Sequence, residues 1–159
     1  MISVRDYCRE DTQELANIYF NTVHQINIQD YTQEQVDAWA PPSGFKSNSE
    51  TEDWAKKFAR TKPIVAVIGD KIVGFAELES NGHIDCFYCH HKWIGKGVGS
   101  ALMKEILIRA KKRHINRLFA EVSITARPFF EKYNFVVISE QVVYKKGIGF
   151  VNYKMERTI

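Results

Sequence analysis

Three apolar runs separated by short glycine turns do most to limit what this chain can fold into. "IVAVI" is followed by Gly69-Asp70, "KIVGFAELE" by Ser80-Asn81-Gly82, and "HIDCFYC" closes the series. Turns this short reverse the chain, so the three runs are expected to pair as an antiparallel meander. A sheet must then bury at least one face, and the flanking segments have to supply the cover.

Those segments read as helices and further strands. "ISVRDY" alternates like a first strand. Asp11 or Thr12 caps a helix running to about Ile26, with Leu15, Ile18, Tyr19, Thr22, Val23 and Ile26 on one face. Thr32 and Gln35 fit a capping box that opens "QEQVDAW", which Pro41-Pro42 stops. Ser49 and Glu52 make a second box, ahead of a helix carrying Trp54 and Phe58. A helix from about Val98 to Arg113 buries Val98, Leu102, Met103, Ile106, Leu107 and Ala110. "RLFAEVS" is a strand and "ARPFFEKY" a short helix with Pro128 in its first turn. Asn134 lets the chain leave that helix, and two strands flank Lys146-Gly147. The expectation is one α+β domain over residues 1–159, with a mixed, mostly antiparallel sheet of seven strands.

Composition excludes several classes. Hydrophobic residues at 45% and aromatics at 13% suffice for a core. The net charge of +3 is dispersed apart from "RAKKRH" at 109–114, so no nucleic-acid partner is expected, while a small anionic ligand is. No run of about 18 apolar residues exists, so no membrane span is expected. "MISVRDYCRED" lacks a signal-peptide core, and the three cysteines read as reduced thiols in a cytoplasmic protein.

Cys86, Cys89 and His90 form the spacing C-x-x-C-H. On a strand, residues three apart point to opposite faces, so one metal or haem cannot be gripped by both thiols. A redox dithiol would instead sit at a helix start, where the dipole lowers a thiol pKa. The expectation is therefore no metal, no haem and two small apolar strand residues.

Immediately afterwards Gly95, Gly97 and Gly99 alternate between strand and helix. Glycine lets the backbone approach a ligand closely, and the free N–H groups around Val98 to Ala101 favour an anion. Lys92 and Lys96, with His90 and His91 when protonated, add positive potential. The pattern is neither a P-loop nor a dinucleotide fingerprint. No Ser or Thr follows Gly95-Lys96, and Ser100 stands where the fingerprint needs a final Gly or Ala.

In these features the sequence resembles the GNAT superfamily of acyl-CoA-dependent N-acetyltransferases. The family pattern Arg/Gln-x-x-Gly-x-Gly/Ala is matched by "IGKGVG", with Ile94 at the Arg/Gln position. A phenylalanine-tyrosine-glutamate helix ending in Gly-Phe is matched by "FFEKYNF", with Phe130 for the tyrosine and Asn134 for the glycine. "YTQEQVDAWA" and "SITARPFFEKYNF" look like a small bacterial subgroup with unassigned acceptors. The resemblance implies a GNAT-like sheet with helices on both faces and acetyl-CoA as co-substrate. It also implies that Gly95, Lys96, Gly97, Val98, Gly99 and Ser100 wrap the pyrophosphate. The backbone of Phe87, Tyr88 and Cys89 would pair with the pantetheine arm, with Ser123 and Phe130 beside the cofactor.

Base, acid and acceptor residues are implied by the same comparison. Members often place Glu or His early on the strand before the loop, where His83 and Asp85 share a face. Asp85 is the leading base and His83 its partner or relay, with Glu77 a weaker candidate. Phe130 cannot serve as the family's tyrosine acid. Tyr133, one turn on, is either its substitute or a core aromatic, and water can also protonate the leaving thiolate. His24, Tyr31 and Trp39 would wall the acceptor pocket. The implied activity is direct acetyl transfer to a small amine in a ternary complex. The alternatives are a non-catalytic acyl-CoA-binding module and an acyltransferase acting on protein or aminoacyl-tRNA. A homodimer is among the expected assemblies.

Overall fold

The computed structural model describes residues 1–42 and 48–159. Strand β1 (Ile2–Asp6) leads through a short turn into helix α1 (Thr12–Gln25), followed by α2 (Gln33–Trp39) and α3 (Asn48–Thr61). The meander follows as β2 (Ile64–Ile68), β3 (Lys71–Leu78) and β4 (Ile84–Cys89). Helix α4 (Val98–Lys112), β5 (Arg117–Ser123), α5 (Arg127–Lys132), β6 (Val136–Lys145) and β7 (Ile148–Thr158) complete the order. The Thr32–Gln35 capping box is present, with Gln35 N–H donating to Thr32 Oγ1 at 3.1 Å. Ser49 lies inside the first turn of α3 rather than ahead of it, and residues 43–47, between Pro42 and that helix, lie outside the described residues.

The seven strands form two sheets rather than one. The first has the order β1-β2-β3-β4 and the second β5-β7-β6, and every strand pair within them is antiparallel. The two meet at a single parallel bridge, His83 to Phe119, supported by Phe119 N–H donating to the Gly82 carbonyl at 3.1 Å. Gly82 has φ +94°, and a Cβ there would collide with the Arg117 carbonyl oxygen. Glycine therefore allows the sheets to touch at that point. Beyond it β4 and β5 part, and their facing edges stay unpaired with each other.

Burial explains the apolar pattern. β2 is buried on both faces, so it reads as a continuous apolar run rather than an alternation. On one face Leu15 and Ile18 of α1 and Phe58 of α3 pack on Val65, Phe75 and Cys86. On the other, Val98, Leu102, Met103 and Ile106 of α4 pack on Ala66, Val73 and Leu118. Helices thus cover both faces. A third cluster joins Val23, Tyr31 and Val36 to Phe150 of β7, which anchors α2 beside the gap between the sheets. Among the described residues no helix is long and apolar enough to cross a membrane.

Candidate active site

The parting of β4 from β5 opens a cleft of about 410 Å³. One end is the glycine turn. Gly97 is the N-cap of α4 with φ +89°, in the left-handed region that other residues enter at a cost. The first helical bond is Ala101 N–H to the Gly97 carbonyl, so the amides of Val98, Gly99 and Ser100 precede the ladder. A Cβ at Gly99 would meet the Phe129 ring at 2.9 Å, which ties this turn closely to α5. Gly95, Gly97, Gly99 and Ser100 line the cleft, whereas the Val98 side chain is buried and contributes only its backbone. Lys96 lies outside the lining, its ammonium 5.3 Å from the Trp93 ring centre. His90 and His91 sit where the protonated form, which would add positive potential, is disfavoured. Burial, followed by neighbouring cations, lowers both pKa values below the ordinary histidine value.

The middle of the cleft is the free edge of β4. Phe87, Tyr88 and Cys89 line it. The Cys89 carbonyl accepts a hydrogen bond from Thr22 Oγ1 at 2.7 Å, fixing the strand's end to α1. The two cysteines face opposite ways as their spacing predicts: Cys86 joins the core under α1 and α3, and Cys89 packs towards α4. Burial pushes the Cys89 thiol up to about 12 and Cys86 well above its ordinary value, so neither is a ready nucleophile. Phe130 forms part of the floor, ring to ring with Phe87 at 5.5 Å. Ser123 Oγ accepts from Ala126 N–H at 3.0 Å and faces the cleft.

Beside this cleft lies a second cavity of about 280 Å³, sharing Trp39, Asp85, Tyr88, Glu121 and Ser123 with it. Asp85 therefore stands where the two spaces meet. Its Oδ2 is 3.2 Å from Lys57 Nζ, and the same ammonium is 2.8 Å from the fully buried Glu77. Burial alone would lower the Lys57 pKa, but Cys86, Glu77 and Asp85 outweigh it and the net direction is up. The ligand-type atoms of Glu77, Asp85 and Cys86 lie within 4.8 Å of one another, yet the Lys57 ammonium already occupies the place of a cation among them.

The other expected residues divide. His83 lies beside Asp85, but Glu79 engages its Nδ1 at 2.7 Å and Glu121 its Nε2 at 2.8 Å. Both ring nitrogens are thus committed, and the ring lines neither cavity. Tyr31 and Trp39 line the second cavity. Tyr31 also donates to the Val151 carbonyl at 2.7 Å, tying its segment to β7. His24 is directed elsewhere: its ring bonds the Ala40 carbonyl at 2.7 Å and stacks on Phe20, outside both cavities. Tyr133 packs on Phe129 at 5.0 Å and lines neither space, which fits a core aromatic. Lys57, Glu121 and Lys145 were not singled out from sequence. Lone charged residues on a helix and on strand ends carry no periodic signal.

The two-sheet α+β fold with a glycine turn at the start of α4 is shared with an N-acetyltransferase of known structure. The family model described as "Acetyltransferase (GNAT) domain" matches residues 27–157, and the chain belongs to that family. It is 31% identical over 154 residues to the uncharacterized N-acetyltransferase YafP of Escherichia coli K12, covering 97% of this chain and 94% of YafP. A GCN5-related N-acetyltransferase structure from Rhodopseudomonas palustris superposes with TM-score 0.90 at 27% identity, covering 99% and 95% of the two chains. The structure of yncA from Salmonella typhimurium, with its cofactor acetyl-CoA, matches with TM-score 0.71 at 14% identity, covering 99% and 93%.

Proposed function

We propose that the chain, read as one catalytic domain, moves an acetyl group from acetyl-CoA to the amine of a small molecule, by direct attack within a ternary complex. One observation carries this reading: the gap between β4 and β5 runs without interruption from the amides at the start of α4 to the Asp85 carboxylate. An anionic diphosphate suits the first end. The free β4 edge suits an extended amide-bearing arm, which can add to it like a strand. That yncA is described with acetyl-CoA supports this donor.

The amine nitrogen bonds to the thioester carbonyl carbon, the carbon–sulfur bond breaks, and the thiolate leaves. An alkylammonium has a pKa of about 10.4, so it sheds one proton to solvent before its nitrogen can attack, and the attacking nitrogen loses a second as the amide forms. Asp85 takes that proton, directly or through water, and Lys57 holds its carboxylate in place. Backbone N–H groups of β4 stabilise the oxyanion. Solvent returns a proton to the thiolate, whose pKa of about 8.5 makes it an undemanding leaving group. The high pKa of Cys89 speaks against a covalent acyl-cysteine route.

The test is a panel of small amines with acetyl-CoA, followed by release of free thiol. Turnover is expected with at least one member. Asp85→Asn should lower that turnover by about 10²–10⁴ while calorimetry shows near-normal acetyl-CoA affinity. Unchanged turnover in the variant would remove Asp85 from the chemistry. Binding of acetyl-CoA with no thiol released by any acceptor would instead favour a non-catalytic binding module.

A further inference from the structure

The second cavity is lined by side chains of both charges. Asp85 of β4 and Glu121 of β5 supply the negative ones. Behind them stand Glu77 and Glu79, so four carboxylates meet only two cations, Lys57 and His83. Even with His83 protonated, that cluster holds an excess of negative charge. It suits an ammonium group or the amine that forms from it.

Lys145, at the end of β6, reaches the same cavity from the far strand of the second sheet. Much of its stem is exposed, but its ammonium reaches over Trp39, 5.6 Å from the ring centre. Desolvation among these walls lowers its pKa, more than attraction to the negative charges of Cys86 and Asp85 raises it. Several cations drawn against the protein have carboxylate partners: Arg5 with Asp11 at 2.7 Å, Arg109 with Asp6 at 2.8 Å, and Lys57 with Glu77 at 2.8 Å. Among the described residues Lys145 has no such ion pair. A cation that is partly dehydrated and unpaired gains most from an incoming anion.

The rest of the lining is largely aromatic. Tyr31 and Phe150 face the cavity with Trp39, whose ring is 5.5 Å from Tyr31 in edge-to-face contact. Such walls take a flat apolar body in preference to a flexible polar one.

We propose that the acceptor is a zwitterion: an amine that also bears a carboxylate, with a flat apolar body between the two. This rests on the acetyltransferase reading and deepens it. The amine end lies at Asp85, beside the thioester strand, and the carboxylate end at Lys145. A purely cationic acceptor such as a polyamine would bring a second positive charge against Lys145, and is disfavoured.

The probes are para-(aminomethyl)benzoate and its neutral counterpart para-(aminomethyl)benzamide, with benzylamine as the unsubstituted reference. Binding to the protein saturated with coenzyme A is measured by calorimetry, and thiol release from acetyl-CoA separately. The benzoate is expected to bind about tenfold or more tightly than the benzamide. In Lys145→Met, with an unchanged thermal melt, that ratio should fall towards one. Equal affinities in the wild type, a ratio untouched by Lys145→Met, or no binding of the benzoate would each overturn the proposal. Benzoate binding without thiol release would keep the zwitterion site and remove the acetyl transfer. Thiol release favouring benzylamine over the benzoate would keep the transfer and remove the zwitterion.

Discussion

His83 shows how one residue is given a structural duty beside a site. Burial pulls its pKa down, but the hydrogen bonds to Glu79 and Glu121 outweigh burial and the net shift is upward. A folded pKa above the unfolded value means that protonation favours folding. The contribution is complete below the ordinary histidine value of about 6.5 and fades as pH rises through the higher folded value. His83→Gln should therefore lower the urea midpoint clearly at pH 6 and hardly at pH 9; a loss of equal size at both would refute the charged strut. At this scale the sequence was informative for the two cysteines, which face opposite ways as their parity predicts. Parity breaks at Asp85, because β4 bulges against β3 between Ile84 and Phe87 and the carboxylate reaches Lys57 beside Cys86. The sequence was uninformative about His24, because clustering polar and aromatic residues in one helix does not say which way the ring turns.

At the scale of elements, the turn into α4 is the most exacting piece of chain. Gly97 must hold φ +89° at the mouth of the cleft. A residue with a Cβ is strained there by about 1–2 kcal/mol, and a carboxylate adds repulsion towards a diphosphate. Gly97→Glu is expected to abolish acetyl-CoA binding in calorimetry, whereas Gly97→Asn, which tolerates the left-handed region, should retain much of it. Near-normal affinity in Gly97→Glu would reject the turn as the phosphate seat. The meander was legible because short glycine-bearing turns determine how neighbouring runs pair. The division into two sheets was not. It depends on how far α4 carries the chain before β5, and on Gly82 allowing contact with the Arg117 backbone, neither of which leaves a periodic trace.

For the whole molecule, the Lys57 ammonium links α3 to the sheet and to the site. It neutralises Glu77, which is wholly enclosed, and reaches Asp85 at the cleft. Removing one partner of a buried ion pair costs about 3–5 kcal/mol when both are enclosed, and the 27% exposure of Lys57 places this pair towards the lower figure. Lys57→Met should lower stability by about that amount in denaturant unfolding, and Lys57→Met with Glu77→Leu should recover much of it. A double variant no more stable than the single one would show that the pair is not the source of the loss. The charge network was beyond the sequence, since its members come from a helix and two strands and meet only after folding.

The parting of β4 from β5 has a corollary for how such a protein can change over time. A pit dug by side chains is refilled by any one of them. This opening is instead a row of strand pairing left unmade, with main-chain groups for its rim, so residues along it can drift without erasing it. Ile94, at the head of the loop where the family pattern has arginine or glutamine, is that latitude in use.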